Sequence, residues 1–429
     1  MDKNNTRKTM FIIIKAALAV LFVISSIIIA IYRVPNQNVR VHIDTRAGAV
    51  DKVFSAEEIG NTSQFEIAIP GIVPEDISEV RLYRHFKTIC LDKIKGVDLS
   101  FYSIYENEHL FFNEQFTSKI NAVSKSYLTE RLFYIEVMLA FIMLLWIIVN
   151  ALEEKFDPAN HDNHGPIHEI KKFISDIKNY GQYMVYAARA DLNAEVANSY
   201  LNRLWWLLEP MFNMIVYVVV FGRVMGNSVE NYATFVFASL LMWNYFSKAI
   251  SYSVKCVRNN RDIVTKIYVP KHILLLTDMI LNFFKLLFSA IILVVMLVVF
   301  RVQLGVCIWT LIPSYLLMFL LAFGGGMIFL HYGVYIDDLG YAVGILLQIL
   351  MFLSGIFYDT LTSLSTPLNV MMLSVNPVAM FIDTMRNGLL YNTVANVPLW
   401  TIWIVLSLQL CYIGIHIVYK NENGYVKVV

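Results

Sequence analysis

The chain has 429 residues, of which 57% are hydrophobic and only 16% charged, against roughly 25% charged in soluble proteins. With a mean hydropathy of +0.57, this excludes a disordered chain and a wholly soluble globular one. A net charge of +1 gives no bias toward nucleic acid, and the four scattered cysteines (Cys90, Cys256, Cys307, Cys411) form no C-x-x-C pair that would read as a metal or redox motif. Several apolar runs reach the ~20 residues that cross a bilayer as helix, so the fold expected is a polytopic α-helical membrane protein.

The first apolar run, Met10 to about Tyr32, follows Lys3, Arg7 and Lys8. It is longer than the h-region of a signal peptide (roughly 7–15 residues) and ends without a small-residue cleavage pattern, so an uncleaved anchor with a cytoplasmic N-terminus is expected. Residues 33–131 are polar and mixed. Val39, Val41 and Ile43 alternate with polar neighbours, as do Phe65, Ile67 and Ile69, and Val97, Leu99 and Phe101; this period of two predicts a small β-rich extracytoplasmic domain. Its aromatics Phe101, Tyr102, Tyr105, Phe111, Phe112 and Phe116 suit either a core or contact with a glycan. A second span over 132–151 completes a membrane hairpin at 1–151. Residues 152–204 form a cytoplasmic linker ending in an amphipathic interface helix: Met184, Ala188, Leu192, Val196, Tyr200 and Leu204 recur every four residues from Tyr183 to Leu204.

Residues 205–429 hold six further spans, at 207–225, 232–254, 273–300, 306–331, 341–358 and 398–419. Eight spans place both termini in the cytoplasm. Loop 255–272 then lies inside, and its Lys255, Arg258, Arg261, Lys266 and Lys271 against a single Asp262 agree with the positive-inside rule. The outward segment 359–397 carries two short apolar stretches, 368–374 and 378–390, around Asn376-Pro377; each is too short to span and reads as a re-entrant or interfacial helix.

No catalytic motif is present. No Gly-Lys dipeptide occurs, so there is no P-loop, and neither G-x-S-x-G nor H-E-x-x-H is found. The chain is expected to be no enzyme and to bind no cofactor itself. His161, His164 and His168 beside Asp157 read as a solvated linker rather than a metal site. Lys248, Asp278 and Lys285 fall inside spans, where charges are costly; the reading is a structural ion pair, with Lys248 reaching Asp278, or snorkelling lysines, in preference to a coupling element. Gly222-x-x-x-Gly226, Gly340-x-x-x-Gly344 and Gly324-Gly325-Gly326 point to close helix approach.

From Asp191 onward the sequence resembles a known family. Leu192-Asn193-Ala194-Glu195, Tyr200-Leu201, Leu204-Trp205, Leu208, Pro210, Val216-Tyr217 and Phe221-Gly222 are similar to the permease subunits of ABC-2 type polysaccharide exporters, which move O-antigen, capsule or teichoic acid. Asn202 stands where glycine is usual. Trp243, Asn244 and Phe246, then Asn259-Asn260, Ile263-Val264, Lys266 and Val269-Pro270, then Ser354, Ile356 and Tyr358 with Gly355 in place of proline, and Asn376-Pro377 with Arg386 follow in the family's order. Tyr335-Ile336-Asp337-Asp338-Leu339 resembles its "YRDL" loop with Asp337 in place of arginine. The resemblance covers about 183–429 and not the hairpin at 1–151.

The resemblance implies a six-span ABC-2 bundle working as a homodimer with two separate ABC ATPase subunits, which hold ATP and Mg, in the cytoplasmic membrane. It implies that Arg258, Arg261, Ile263, Lys266 and Tyr268 couple to the ATPase. Tyr200, Trp205 and Trp206 would admit a lipid-linked glycan. Tyr217, Phe221, Phe246, Phe352 and Tyr358 would line the path, and Asn376, Pro377 and Arg386 would form the outward gate. An ABC-2 exporter of small molecules or drugs is the nearest alternative. A membrane glycosyl- or acyltransferase is a more distant one, for which Asp337-Asp338 and Asp383 are the available acids.

Overall fold

The computed structural model describes parts of residues 14–25, most of 38–156 apart from short breaks, and 166–197, 200–224, 229, 231–302, 304–364, 368–392 and 397–428. The expected strand at Val97, Leu99 and Phe101 and the His161/His164 pair lie outside the described residues.

Strand β1 (Val39–Thr45) buries Val39, Val41 and Ile43 completely, while Arg40, His42 and Asp44 point the other way, as a period of two requires. It pairs antiparallel with β2 (Gly48–Phe54) and with β4 (Ile77–Arg84), and β4 pairs with β5 (Cys90–Lys95). The sheet order is β2-β1-β4-β5. A second sheet joins β3 (Glu66–Ala68), β6 (Tyr102–Glu106) and β7 (His109–Phe112) in the order β3-β7-β6. Helix α1 (Glu114–Lys125) closes this core with Phe116, Ile120 and Val123, which meet Val39, Val41, Val80 and Leu82; their spacing of four and three puts them on one helical face.

The opposite face of the first sheet is a charged network. Arg40 Nε donates to Asp51 Oδ1 at 2.9 Å, His42 Nδ1 lies 2.7 Å from the same oxygen, and His42 Nε2 lies 3.0 Å from Asp44 Oδ1. Arg81 pairs with Asp44 at 3.2 Å and with Glu79. Because both imidazole nitrogens face carboxylates, protonated His42 is favoured, and the Asp44 bond followed by the Asp51 bond raises its pKa above 6.5 against the opposing effect of burial.

Helix α2 (Leu128–Phe156) and the long helix α3 (Pro166–Val196) follow. Pro166 supplies a preset φ at the first helical position. The helix therefore begins well before Tyr183, inside the stretch expected as linker. The stripe Met184, Ala188, Leu192 and Val196 is buried, but Tyr200 and Leu204 are exposed, because α3 ends at Val196 and the helical phase is lost there. The stripe also packs on protein: Ala188, Leu192 and Val196 meet Trp206 and Leu281.

The remaining helices are α4 (Trp205–Tyr217), continued by a π-helical turn at Val218–Val224, α5 (Tyr232–Asn259), the short α6 (Arg261–Lys266), α7 (Lys271–Val299), α8 (Leu311–Tyr335), α9 (Leu339–Leu353), α10 (Thr360–Ser363), α11 (Leu368–Val375), α12 (Pro377–Leu390) and α13 (Val397–Val428). Among the described residues, four helical segments are long and apolar enough to cross a membrane: Trp205–Val224, Lys271–Val299, Val306–Tyr335 and Trp400–Tyr425. Tyr134–Val149 and Leu339–Leu353 are apolar but shorter. Helix α12 is the most enclosed, with every residue from Val378 to Leu389 buried, and α5 buries every side chain from Thr234 to Trp243. Helices α8 and α13 approach closely because Gly324 lacks a side chain; a Cβ there would stand 2.7 Å from the Cys411 backbone nitrogen.

The N-terminal elements rest on this bundle. Gln409 Nε2 of α13 donates to the Ala140 carbonyl of α2 at 2.9 Å, and Ala140 packs with Ile402 and Leu406. Tyr83 of β4 packs on Leu373 and Ala379.

Candidate functional site

The bend between α11 and α12 is built by Asn376-Pro377. Asn376 Oδ1 accepts from the backbone of Val378 (3.0 Å) and Ala379 (3.3 Å), a helix N-cap, while its Nδ2 donates to Ser354 Oγ (3.0 Å) and the Leu353 carbonyl (3.3 Å). Pro377 occupies the first helical position, where no N–H is needed. Arg386, on the same helix, is almost entirely buried. Its Nη1 donates to the Gly355 carbonyl at 2.7 Å, its Cζ lies 4.0 Å from the Phe235 ring centroid, and Nη2 lies 3.9 Å from Asp383. Gly355 adopts φ +65, which proline, locked near −65°, cannot reach; the departure from the family's proline follows from this backbone. Asn376, Pro377 and Arg386 thus lie on one helix, tied to the end of α9 through Ser354 and Gly355.

The five aromatic candidates fall into two places. Tyr217, Phe221 and Phe352 surround the buried Phe357, with ring centroids 4.7, 4.4 and 5.8 Å from it. Tyr232 Oη donates to the Phe357 carbonyl at 2.7 Å. Phe357 is the hub that sequence reasoning left out of the path; nothing in its spacing marks it above its neighbours. Phe246 and Tyr358 instead line an apolar cavity of about 580 Å³, shared with Asn376 and Pro377. Tyr358 Oη donates to the Phe352 carbonyl at 2.9 Å.

The junction between α3 and α4 holds the next group. Tyr200 is fully exposed and Trp205 less than half so, whereas Trp206 is buried, with its ring 5.2 Å from Phe288 and its carbonyl 3.4 Å from Ser289 Oγ. Lys248, Asp278 and Lys285 converge beside it on a cleft of about 340 Å³, but they do not pair with each other. Lys285 Nζ lies 2.6 Å from Glu195 of α3, Lys248 Nζ lies 4.0 Å from Glu209 of α4, and Asp278 Oδ2 accepts from Asn282 Nδ2 at 2.8 Å. The partners come from elements whose approach the sequence did not reveal.

Loop 255–272 carries the last group. Arg261 and Lys266 are exposed on α6, with Ile263 half-buried against the core and Val264 buried. Arg258 is already engaged: Nη2 donates to the Val334 carbonyl at 2.9 Å and Nη1 pairs with Asp337. The aspartate that replaces the family's arginine therefore finds its cation at the end of α5. Tyr268 Oη donates to Glu422 of α13 at 3.1 Å, and the Tyr268 carbonyl accepts from Tyr180 of α3 at 3.3 Å. Tyr419 Oη donates to Asp176 at 2.7 Å, and His272 Nε2 lies 3.6 Å from the same carboxylate. The loop is thus bound on one side to α3 and on the other to α13. Among the described residues no group of histidine, cysteine and acidic side chains could hold a metal ion.

The junction, cleft, loop, aromatic cluster and Asn376 bend all lie between residues 191 and 390. The sequence pattern of the ABC-2 type transporter family matches residues 182–390. The chain is also similar to two proteins named O-antigen export system permease protein RfbA. That of Myxococcus xanthus is 29% identical over 103 residues, covering 24% of this chain and 40% of the relative. That of Klebsiella pneumoniae is 21% identical over 246 residues, covering 57% of this chain and 94% of the relative. Residues 182–390 are accordingly similar to the membrane domain of ABC-2 type transporters.

Proposed function

We propose that the chain is the transmembrane subunit of an ATP-driven exporter that moves a lipid-linked polysaccharide, of the O-antigen, capsule or teichoic-acid kind, across the cytoplasmic membrane. The observation that carries this reading is the family match over residues 182–390 together with two relatives named as O-antigen export permeases. The energy comes from a separate pair of ABC ATPase subunits with their own ATP and Mg, since the sequence holds no P-loop. Two copies of the chain form the pathway, the termini are cytoplasmic, and six spans in 205–429 follow a two-span hairpin whose strands stand outside the membrane.

Helix α6 is the contact point for the ATPase in this reading. It presents Arg261 and Lys266 to solvent while Ile263 and Val264 hold it to the core. Movement of the loop would pass to α3 and α13 through Tyr268, Tyr180 and Glu422. The test is co-purification of the tagged protein from native membranes, with partners identified by mass spectrometry. A P-loop ATPase is expected, and Arg261→Ala/Lys266→Ala should release it. Arg258→Ala would also disturb Val334 and Asp337, so the exposed pair gives the cleaner result. An intact complex without an ATPase would refute the exporter reading.

A further inference from the structure

The cleft at the α3–α4 junction differs in chemistry from the apolar cavity and the loop. Two ammonium groups from adjacent helices, Lys248 of α5 and Lys285 of α7, open onto one space of about 340 Å³. Each is met by a carboxylate: Glu195, at the end of α3, lies 2.6 Å from Lys285, and Glu209, in the first turns of α4, lies 4.0 Å from Lys248. Glu195 and Glu209 are themselves substantially exposed, so both can turn to water without leaving a buried charge. Ser247 and Ser251 line the same space, and Asp278 stands there beside Asn282.

This set of groups suits a ligand with an anionic and a hydroxylated part. Lysines serve phosphate as compact point charges; aspartate, asparagine and serine supply the acceptors and donors that sugar hydroxyls need. With Glu195 and Glu209 turned away, two cations face one carboxylate, which favours an anion. The volume falls at the low end of ligand sites, which run from about 300 to 1,000 Å³, and suits one sugar ring with its phosphate rather than a chain.

We propose that this cleft is the site for the sugar-phosphate headgroup of the exported lipid-linked glycan, and that Glu195 and Glu209 hold the lysines in its place until it arrives. The proposal rests on the glycan-export reading. It also supplies a signal. Exchange of Glu195 for the ligand removes a tie that fixes the end of α3 to α7. Helix α3 carries Tyr180 and Asp176, which touch the loop at Tyr268 and His272. Occupancy of the cleft is thereby felt at the loop.

The experiment uses the full-length chain in nanodiscs of phosphatidylcholine. Three probes are compared: a farnesyl diphosphate bearing one N-acetylglucosamine, free N-acetylglucosamine 1-phosphate, and phosphatidate. The glycolipid is expected to bind the wild type; Lys285→Ala should weaken it by about tenfold or more, the scale of a lost charge-assisted contact, and Lys285→Arg should restore most of it. Glu195→Gln should bind about threefold tighter, because it removes the competing carboxylate; a misfolded variant cannot gain affinity. Equal glycolipid binding by wild type, Lys248→Ala and Lys285→Ala would overturn the site while leaving the export reading intact. Lysine-dependent binding of the free sugar phosphate without the glycolipid would support the cleft's chemistry and sink the export reading. Lysine-dependent binding of phosphatidate alone, or binding of no probe, would overturn the proposal.

Discussion

Replacing Arg386 with Met should destabilise the bundle by about 3 kcal/mol. The guanidinium is 2% exposed and contributes through two contacts. A cation over an aromatic ring in a desolvated place contributes about 2 kcal/mol, here over Phe235 at 4.0 Å. A charged hydrogen bond contributes about 1.5–3 kcal/mol, here to the Gly355 carbonyl at 2.7 Å. Methionine returns part of this by filling the space with apolar atoms, and Asp383 keeps the 2.9 Å bond from Asn387 Nδ2, so the loss stays at the low end of the 3–5 kcal/mol typical when one member of a buried pair is removed. Lysine keeps the charge but cannot place a planar group over Phe235 while bonding Gly355, and should fall between. The assay is unfolding of the purified protein in mixed micelles, with Phe235→Leu completing a double-mutant cycle. A coupling of about 1 kcal/mol or more is expected. An Arg386→Met variant within about 0.5 kcal/mol of wild type, or a cycle with no coupling, would refute the assignment of Arg386 as a structural bolt between α12, α9 and α5.

Two further outcomes follow. His42 has its folded pKa raised above 6.5 by Asp44 and Asp51, so its stabilising effect is complete below about pH 6.5 and is lost as pH rises through the folded value; hydrogen exchange in β1 and β2 should speed up over that window in the wild type and show no such step in His42→Gln. Gly355→Ala must hold a side chain at φ +65, which costs about 1–2 kcal/mol, and Gly355→Pro cannot form the turn at all; thermal unfolding should show both in that order.

Much of the membrane domain was legible because its signals are local. The apolar runs give the long helices, and Asn376-Pro377 announces a capped helix start. The alternation of Val39, Val41 and Ile43 gives a strand whichever partners it finds. Helix α3 begins earlier and ends sooner than its apolar stripe over 183–204 predicts. Its N-terminal half, from Pro166, looks polar because its partners are polar groups on α13: Glu169 with His416 and Asp176 with Tyr419. The four-residue recurrence runs on past Val196 to Tyr200 and Leu204 although the helix has ended, because periodicity does not register a turn. The pairings of Lys285, Lys248 and Arg258 were beyond reach for a different reason. Each partner lies at a distance in sequence that only tertiary packing fixes, 90 residues for Glu195 with Lys285, and several carboxylates were equally plausible for every cation. Phe357 was hidden among equivalent aromatics, since a hub is defined by its neighbours and not by its own spacing.

The contacts that hold the N-terminal elements to the bundle bear on modularity. The Klebsiella relative is matched over 94% of its length by 57% of this chain, so a permease of that kind gets by with far less. Here the same bundle could not simply be cut free. Without α2, the Gln409 amide would lose the Ala140 carbonyl it bonds at 2.9 Å, and Ile402 and Leu406 would lose the surface they pack on. Without β4, Leu373 and Ala379 would lose Tyr83. A polar amide facing lipid is a cost that a free-standing bundle would avoid by carrying an apolar residue at 409. The glutamine therefore records that the bundle and α2 have been fitted to each other, and a chain cut free of α2 would be more stable with an apolar residue at that position.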